Sequence, residues 1–513
     1  MSEKTARTSV GARAPVTSAG RRVSPRAVPW LAAVALGFCL TQVAVVVPGS
    51  GLGWDETVYT SQVSRRLPAA FFSAPRARGI SFLAAPVAAL TTSTVALRVW
   101  MALLSAAGLY LAFRVWRTLV PAPVLALAAG FFATLWITLF YGPQVMPNLW
   151  SAYGALAAVG CFLRAARDPA DRSAVVGLGL AVALTGLMRP PDAAWLVLSL
   201  AVLALFLPGG RRPLLWGALA AGVALGCGEW LIEAYVRYGG LAERLHRASA
   251  IEGGTGRHFA VDDQIRALGG RTLCRPCDVP WRNKVTSVWW FALPPLAAGG
   301  VLVSARARRA ATALAPLLAA SFLAVPYLFL IGYAAPRFLL PAYALLALPV
   351  AACGWALATA PAGRLRPLLL GAVAVAVCGH LAVQFAVTAS DVRANRAMRG
   401  AYDAVAARLH AAGVRPPCVL TGDHAVPMAF YAGCSSRQIG GPDASISTAA
   451  LVAAARTRPV AVLVPRHGRP PAYARSWTAV TLPDSRAFPG YHGYLSPAAG
   501  RAPAGVRIRR DSR

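Results

Sequence analysis

The sequence predicts an all-α polytopic membrane protein of about 11 transmembrane helices, with a small α/β domain outside the membrane at its C-terminal end. Composition is the first reason. Of 513 residues, 57% are hydrophobic and 14% charged, and mean hydropathy is +0.53, against roughly 25% charged and 45–50% apolar in soluble domains. The second reason is a series of apolar runs long enough to cross about 30 Å of hydrocarbon. The third is that arginines crowd alternate loops between those runs, as the positive-inside rule requires. Together these exclude a soluble enzyme and a disordered chain. They also exclude a nucleic-acid binder, despite 51 Lys+Arg against 19 Asp+Glu and a net charge of +32, because such proteins gather their charge on one face of a polar domain. Only Lys4 and Lys284 are lysines. The arginine preference fits the codon bias of a GC-rich bacterial genome, so where the arginines fall says more than how many there are.

Taken in order, residues 1–27 carry Arg7, Arg13, Arg21, Arg22 and Arg26 without an apolar period and read as a disordered basic cytoplasmic tail. Trp30 to Val47 is a first span, uncleaved because no small-residue cleavage site follows it. Runs near 94–113, 121–141, 147–163, 174–188, 193–208, 213–233, 286–304, 310–333, 338–358 and 367–388 complete the eleven. Two of them, 174–188 and 193–208, are short enough to form a hairpin dipping into the bilayer instead. With the N-terminus inside, the cytoplasmic loops hold Arg114/Arg117, Arg164/Arg167/Arg172, Arg211/Arg212, Arg306/Arg308/Arg309 and Arg364/Arg366. A transmembrane domain over 28–390 then has long outer loops at 48–93 and 234–285. An extracytoplasmic α/β domain over 391–500 follows, in which a helical stretch from Ala394 to Ala412 alternates with β-rich runs at Cys418–Leu420 and Val460–Val464, and a basic tail begins at Arg501. The expected location is a bacterial inner membrane.

Of nine cysteines, Cys39, Cys161, Cys227, Cys353 and Cys378 read as small apolar residues. Cys274 and Cys277 lack the second ligand pair a zinc site needs, so a local disulfide is expected there. Cys418 and Cys434 lie in the outer tail, where an oxidising compartment permits a disulfide; the sequence leaves that pairing open.

Charge on the outer side carries the chemistry. Asp55 and Glu56 directly follow the first span, and two adjacent carboxylates there are on spacing alone as consistent with interfacial solvation as with function. The same segment then brings Arg65, Arg66, Arg76 and Arg78, with Arg98 at the mouth of the second span. Arg189 in Met188-Arg189-Pro190-Pro191-Asp192 and Arg337 in Ala335-Pro336-Arg337-Phe338-Leu339-Leu340-Pro341 sit at outer ends of spans beside proline. Cations near the bilayer are costly unless paired or solvated. Guanidinium forks match phosphate oxygens, so a phosphate at the outer membrane face would satisfy several of them, whereas snorkelling or a neighbouring acid such as Asp192 would satisfy each singly.

An acidic pair in the first outer loop, arginines in its remainder, an Arg-Pro between middle spans and a late Pro-Arg-aromatic-Leu-Leu-Pro resemble the GT-C glycosyltransferases, specifically the protein-mannosyltransferase and aminoarabinose-transferase type. The resemblance covers roughly 28–390. It implies a membrane enzyme that moves a sugar from a polyprenyl-phosphate donor to a hydroxyl of an envelope glycan, lipid or protein at the extracytoplasmic face. It also implies inversion at the anomeric carbon, with Asp55 as general base beside Glu56. Arg76, Arg78, Arg98, Arg189 and Arg337 are then donor-phosphate candidates, and Tyr59, Asn148 and Lys284 candidate sugar or acceptor contacts. Where the family often has a second acid, Tyr141-Gly142-Pro143-Gln144-Val145-Met146-Pro147-Asn148 offers amides, which neither act as bases nor ligate metal as carboxylates do. No metal or other cofactor is therefore expected, and partners reduce to membrane lipids, donor and acceptor. Two other functions stay open: a transporter or flippase of an anionic lipid, although the polar residues cluster at one face rather than the midplane, and an inactive envelope-assembly scaffold.

Overall fold

The computed structural model describes residues 27–281, 283–359, 363, 366–441, 443–485, 488 and 490–499. Residues 1–26 of the expected N-terminal tail, Arg364, and the basic tail from Arg501 lie outside the described residues.

Among the described residues eight helices are long and apolar enough to cross a membrane: Pro29–Val46, Thr94–Thr118, Asn148–Arg167, Pro213–Arg237, Lys284–Arg306, Ala311–Phe329, Pro336–Ala358 and Arg366–Ala411. Shorter apolar helices Ala122–Ala133, Arg172–Met188 and Pro190–Phe206 fall on the other three predicted runs. Leu36, Leu103, Leu180, Leu225 and Leu302 stay exposed around the bundle, as lipid-facing positions do. The run read as one span over 121–141 is broken. Leu135 is extended and a second helix starts at Trp136, whose N–H donates to the Gln384 side chain at 2.8 Å. A neighbouring amide thus replaces the missing helical acceptor, as non-helical backbone buried in a bundle requires. Arg172–Met188 and Pro213–Arg237 pack through Gly222 and Gly226, where an added Cβ would come within 2.7 Å of Gly179 O and 2.4 Å of Ala183 O. Small residues four apart are the usual means of such close approach.

Two of the arginine-rich turns meet at one end of the bundle: Arg164 pairs with Asp171 at 3.0 Å and Arg212 donates to Ala165 O at 2.9 Å. At the other end the helix Gly79–Ala88, which sequence reading left as an apolar stretch, lies in the first long segment. The last predicted span and the predicted tail helix are one continuous helix, Arg366–Ala411, of 46 residues. At 1.5 Å per residue it is about 69 Å long, roughly twice the hydrocarbon thickness. It crosses the boundary expected at residue 390 and continues into the α/β domain, packing Tyr402, Val405 and Leu409 into that domain's core.

That domain holds five strands, β1 (Val419–Gly422), β2 (Ser435–Ser436), β3 (Val460–Pro465), β4 (Thr478–Thr481) and β5 (Tyr491–Leu495), in the order β2-β1-β3-β5-β4. β1 is parallel to both β2 and β3, while β5 is antiparallel to β3 and β4. Helices Ala425–Ala432 and Thr448–Thr457 make the two parallel crossovers. Cys418 is disulfide-bonded to Cys434, and Cys274 to Cys277.

Candidate active site

The helix Trp54–Ser61 starts after the extended Gly53, whose N–H donates to Glu56 Oε2 at 2.9 Å. This is the reciprocal half of a capping box, and the positive end of the helix favours the acids at 55 and 56. Adjacent helical residues point about 100° apart, so the two carboxylates have separate environments. Glu56 turns inward. It receives Arg98 at 2.8 Å and the Val145 N–H at 2.8 Å, while Arg98 also donates to Pro143 O at 3.0 Å and to Gly51 O. Both side chains are almost wholly buried, 1% and 3% exposed. Arg98 therefore bolts the first loop to the 142–147 turn and presents nothing to a ligand. Replacing Arg98 by Met is expected to strip a buried carboxylate of its partner and cost about 3–5 kcal/mol of stability. Thermal unfolding of the detergent-solubilised protein should show it, with much of the loss recovered when Glu56→Gln is added.

Asp55 points the other way, its side chain 35% exposed, into a cluster drawn from distant parts of the chain. Arg76 Nη2 meets Asp55 Oδ1 at 2.9 Å, and Arg337 Nη2 meets Oδ2 at 3.4 Å. Enclosure by the surrounding chain pushes the Asp55 carboxyl up, but the Arg76 and Arg337 guanidiniums outweigh it and hold it below the usual carboxylate range. Arg337, in the turn Pro336–Leu339, also donates to Thr272 O at 2.7 Å and to the Tyr141 hydroxyl at 3.4 Å. Arg189 and Arg337 both lie against Phe338, their guanidinium centres 5.0 Å (Arg189) and 5.2 Å (Arg337) from that ring's centroid. Arg189 is held by the Tyr327 hydroxyl at 2.9 Å and by Asp192 at 3.3 Å. Tyr59 is buried beside this cluster, its phenol pushed up to about 12, mainly by burial.

Other expected site residues lie elsewhere. Arg78 pairs with Glu233 at 2.6 Å and Glu229 at 3.2 Å and caps the Phe72 ring at 4.4 Å. Lys284 sits 5.7 Å from the Trp281 ring, with no contact to the cluster among the described residues. Asn148 is 1% exposed, and neither amide atom finds a partner among the described residues. Among the described residues no three of His, Cys, Asp and Glu come together as a metal site.

Two contributors were missed by sequence reading. Arg244, fully buried and stacked on Trp230 at 4.2 Å, donates to Ala74 O at 3.0 Å and Arg76 O at 3.1 Å, so it fixes the backbone that carries Arg76. Its partner Glu233, at 3.0 Å, lies inside an apolar run, and an acid there was the available signal. Asp443 comes from the α/β domain. It accepts from Arg76 at 3.3 Å and from Trp54 Nε1 at 3.2 Å, and nothing in its sequence neighbourhood marks it.

No protein-family profile matches the sequence, and no curated protein does. Solved structures do. ArnT from Cupriavidus metallidurans bound to undecaprenyl phosphate superposes with a TM-score of 0.64 at 14% identity, covering 93% of this chain and 99% of that one. Its apo state gives 0.61 at 15% identity over the same shares. The Archaeoglobus fulgidus oligosaccharyltransferase tethered to an acceptor peptide matches at 0.47 and 15% identity, over 81% of this chain and 64% of that one. Over 93% of its length, this chain shares the GT-C fold of ArnT.

Proposed function

We propose that the protein is an inverting glycosyltransferase that takes a sugar from a polyprenyl-phosphate donor and places it on a hydroxyl of a cell-envelope acceptor at the extracytoplasmic face. The observation that carries this is the joint hold of Arg76 and Arg337 on Asp55, at the bundle end opposite the Arg164 and Arg212 turns. Asp55 supplies a base, and Arg76 and Arg337 an anion clamp. Arg76, Arg337 and Arg189 take the donor phosphate. As the anomeric carbon–oxygen bond breaks, its electron pair goes to the phosphate, where fixed guanidiniums stabilise the growing charge. The acceptor oxygen attacks from the opposite side, and its proton passes to an Asp55 carboxylate oxygen.

The lipid tail has a place to lie. An apolar cavity of about 480 Å³ opens between the helices that carry Phe132, Leu135, Trp289, Leu293, Tyr343 and Val383. Tyr343 is six residues along from Arg337, about 9 Å deeper by helical rise. A chain anchored there by its phosphate would run down this wall. The undecaprenyl phosphate bound to ArnT, whose fold matches, supports a carrier of that class here. Asp55 and Arg76 belong to the first loop and Arg337 to a late one, so the clamp closes only when the bundle is assembled.

The test is the mass of envelope glycans in a deletion strain. Loss of a hexose- or pentose-sized unit, restored by the wild-type gene, is the expected result. Unchanged glycans with a polyprenyl lipid trapped in one leaflet would favour a flippase and overturn the transferase.

A further inference from the structure

The α/β domain turns the carboxyl edge of its sheet toward Trp54, whose ring centroid lies 5.9 Å from that of His424. From β1 the chain crosses to β2 on one side and then returns to β3 on the other. The gap at the carboxyl end of β1, between β1 and β3, is therefore a topological switch point, where open α/β sheets bind their ligands. The residues there are Asp423 and His424. His424 has φ of 52°, a left-handed backbone for a residue with a full side chain, and such outliers persist where the surroundings impose them. Gly422, at φ of +93°, makes the preceding turn, and a Cβ on it would lie 2.3 Å from Leu463 O.

Tyr491 donates to Asp423 Oδ2 at 2.6 Å, and His424 Nδ1 lies 3.1 Å from Asp423 Oδ1. With Nδ1 donating to the carboxylate, Nε2 carries a lone pair, and it has no hydrogen-bond partner among the described residues. Phe488 and Tyr491 support the imidazole from the domain side, and on the membrane side its ring centroid is 5.9 Å from that of Trp54. Asp423 and His424 remain 47% and 37% exposed. Trp54 precedes Asp55 in the chain, and Asp443, from the loop after β2, ties Trp54 to Arg76. The crevice therefore abuts the reacting centre.

We propose that the crevice bounded by Asp423, His424 and the Trp54 indole binds the acceptor, and that the acceptor is a glycan. The carboxylate and the free imidazole nitrogen accept hydrogen bonds from neighbouring sugar hydroxyls, and the indole offers an apolar face to the sugar's C–H surface. A lipid-linked and a free glycan share this chemistry. The proposal rests on the transferase function above for its meaning, but its test does not.

Full-length protein in nanodiscs is mixed with linear neutral oligosaccharides, and in a second arm with a Ser/Thr-rich peptide, and saturation-transfer NMR reads binding. Wild type and Asp55→Asn are expected to bind an oligosaccharide equally. Asp423→Asn and His424→Gln are expected to weaken that binding about tenfold or more, with undecaprenyl phosphate binding unchanged as the check on folding. In turnover, these two variants raise acceptor KM more than they lower kcat. No oligosaccharide binding by wild type, binding by Asp423→Asn and His424→Gln equal to that of wild type, or binding of the peptide alone overturns the proposal. Oligosaccharide binding without any sugar transfer from a lipid donor would leave the crevice standing and remove the transferase function instead.

Discussion

Replacing Asp55 by Asn is expected to lower the transfer rate by about 10²–10⁴-fold, the usual contribution of a positioned general base, while donor-phosphate affinity holds or rises. The two halves of that result have separate causes. An amide keeps the shape and still accepts from Arg76, but it cannot take the proton of an attacking hydroxyl. At the same time the substitution removes the anion that now occupies Arg76 and Arg337 at 2.9 and 3.4 Å, so an incoming phosphate meets two guanidiniums with one competitor fewer. A stability loss would weaken binding and turnover together. Single-turnover transfer from a lipid-linked sugar, set beside equilibrium binding of undecaprenyl phosphate, separates these outcomes, and near-wild-type transfer by Asp55→Asn would remove the base from the mechanism.

What sequence reading could and could not find follows from the range of each interaction. Spans are local: hydropathy over some twenty residues locates them, and the eleven runs fall on helices, with the break at Leu135 set by Gln384, a residue nearly 250 positions away. Arg189 and Arg337 stand out because a charge beside a proline-marked span end is locally odd, and Asp55 and Arg76 because they fall in the first outer segment. Arg78 and Arg98 look equally odd in sequence, yet they are bound to Glu229, Glu233 and Glu56. Their partners lie 155 positions away for Glu233 and 42 for Glu56. A list of arginines cannot say which are already neutralised. The acids inside the 213–237 helix carry half of that information, since an intramembrane carboxylate implies a cation nearby. Asp443 carries no such mark, because its role depends on how the α/β domain docks against the bundle.

Arg337→Gln is expected to cost about 10²–10³-fold in kcat, the loss typical when one preorganised donor to a developing anion is removed, and to move the acid limb of the pH profile in a direction fixed by its contact with Asp55. In the free protein Arg76 and Arg337 hold the Asp55 carboxyl below its usual range, so wild-type kcat/KM for the donor should stay flat from neutrality well into acid. Taking Arg337 away removes one of the charges that favour the ionised form, so the Asp55 pKa rises and the acid limb of kcat/KM moves to higher pH. The bound state changes in the same sense for a different reason: a donor phosphate shares the guanidiniums and sets a second negative charge beside Asp55, which raises its pKa. Since kcat reports the complex and kcat/KM the free enzyme, the wild-type acid limb of kcat should lie at higher pH than that of kcat/KM. The donor would then convert a weakly basic carboxylate into a stronger base only when there is a sugar to transfer. Coincident limbs in the wild type, or an Arg337→Gln limb displaced toward acid, would show that phosphate and carboxylate do not share the clamp.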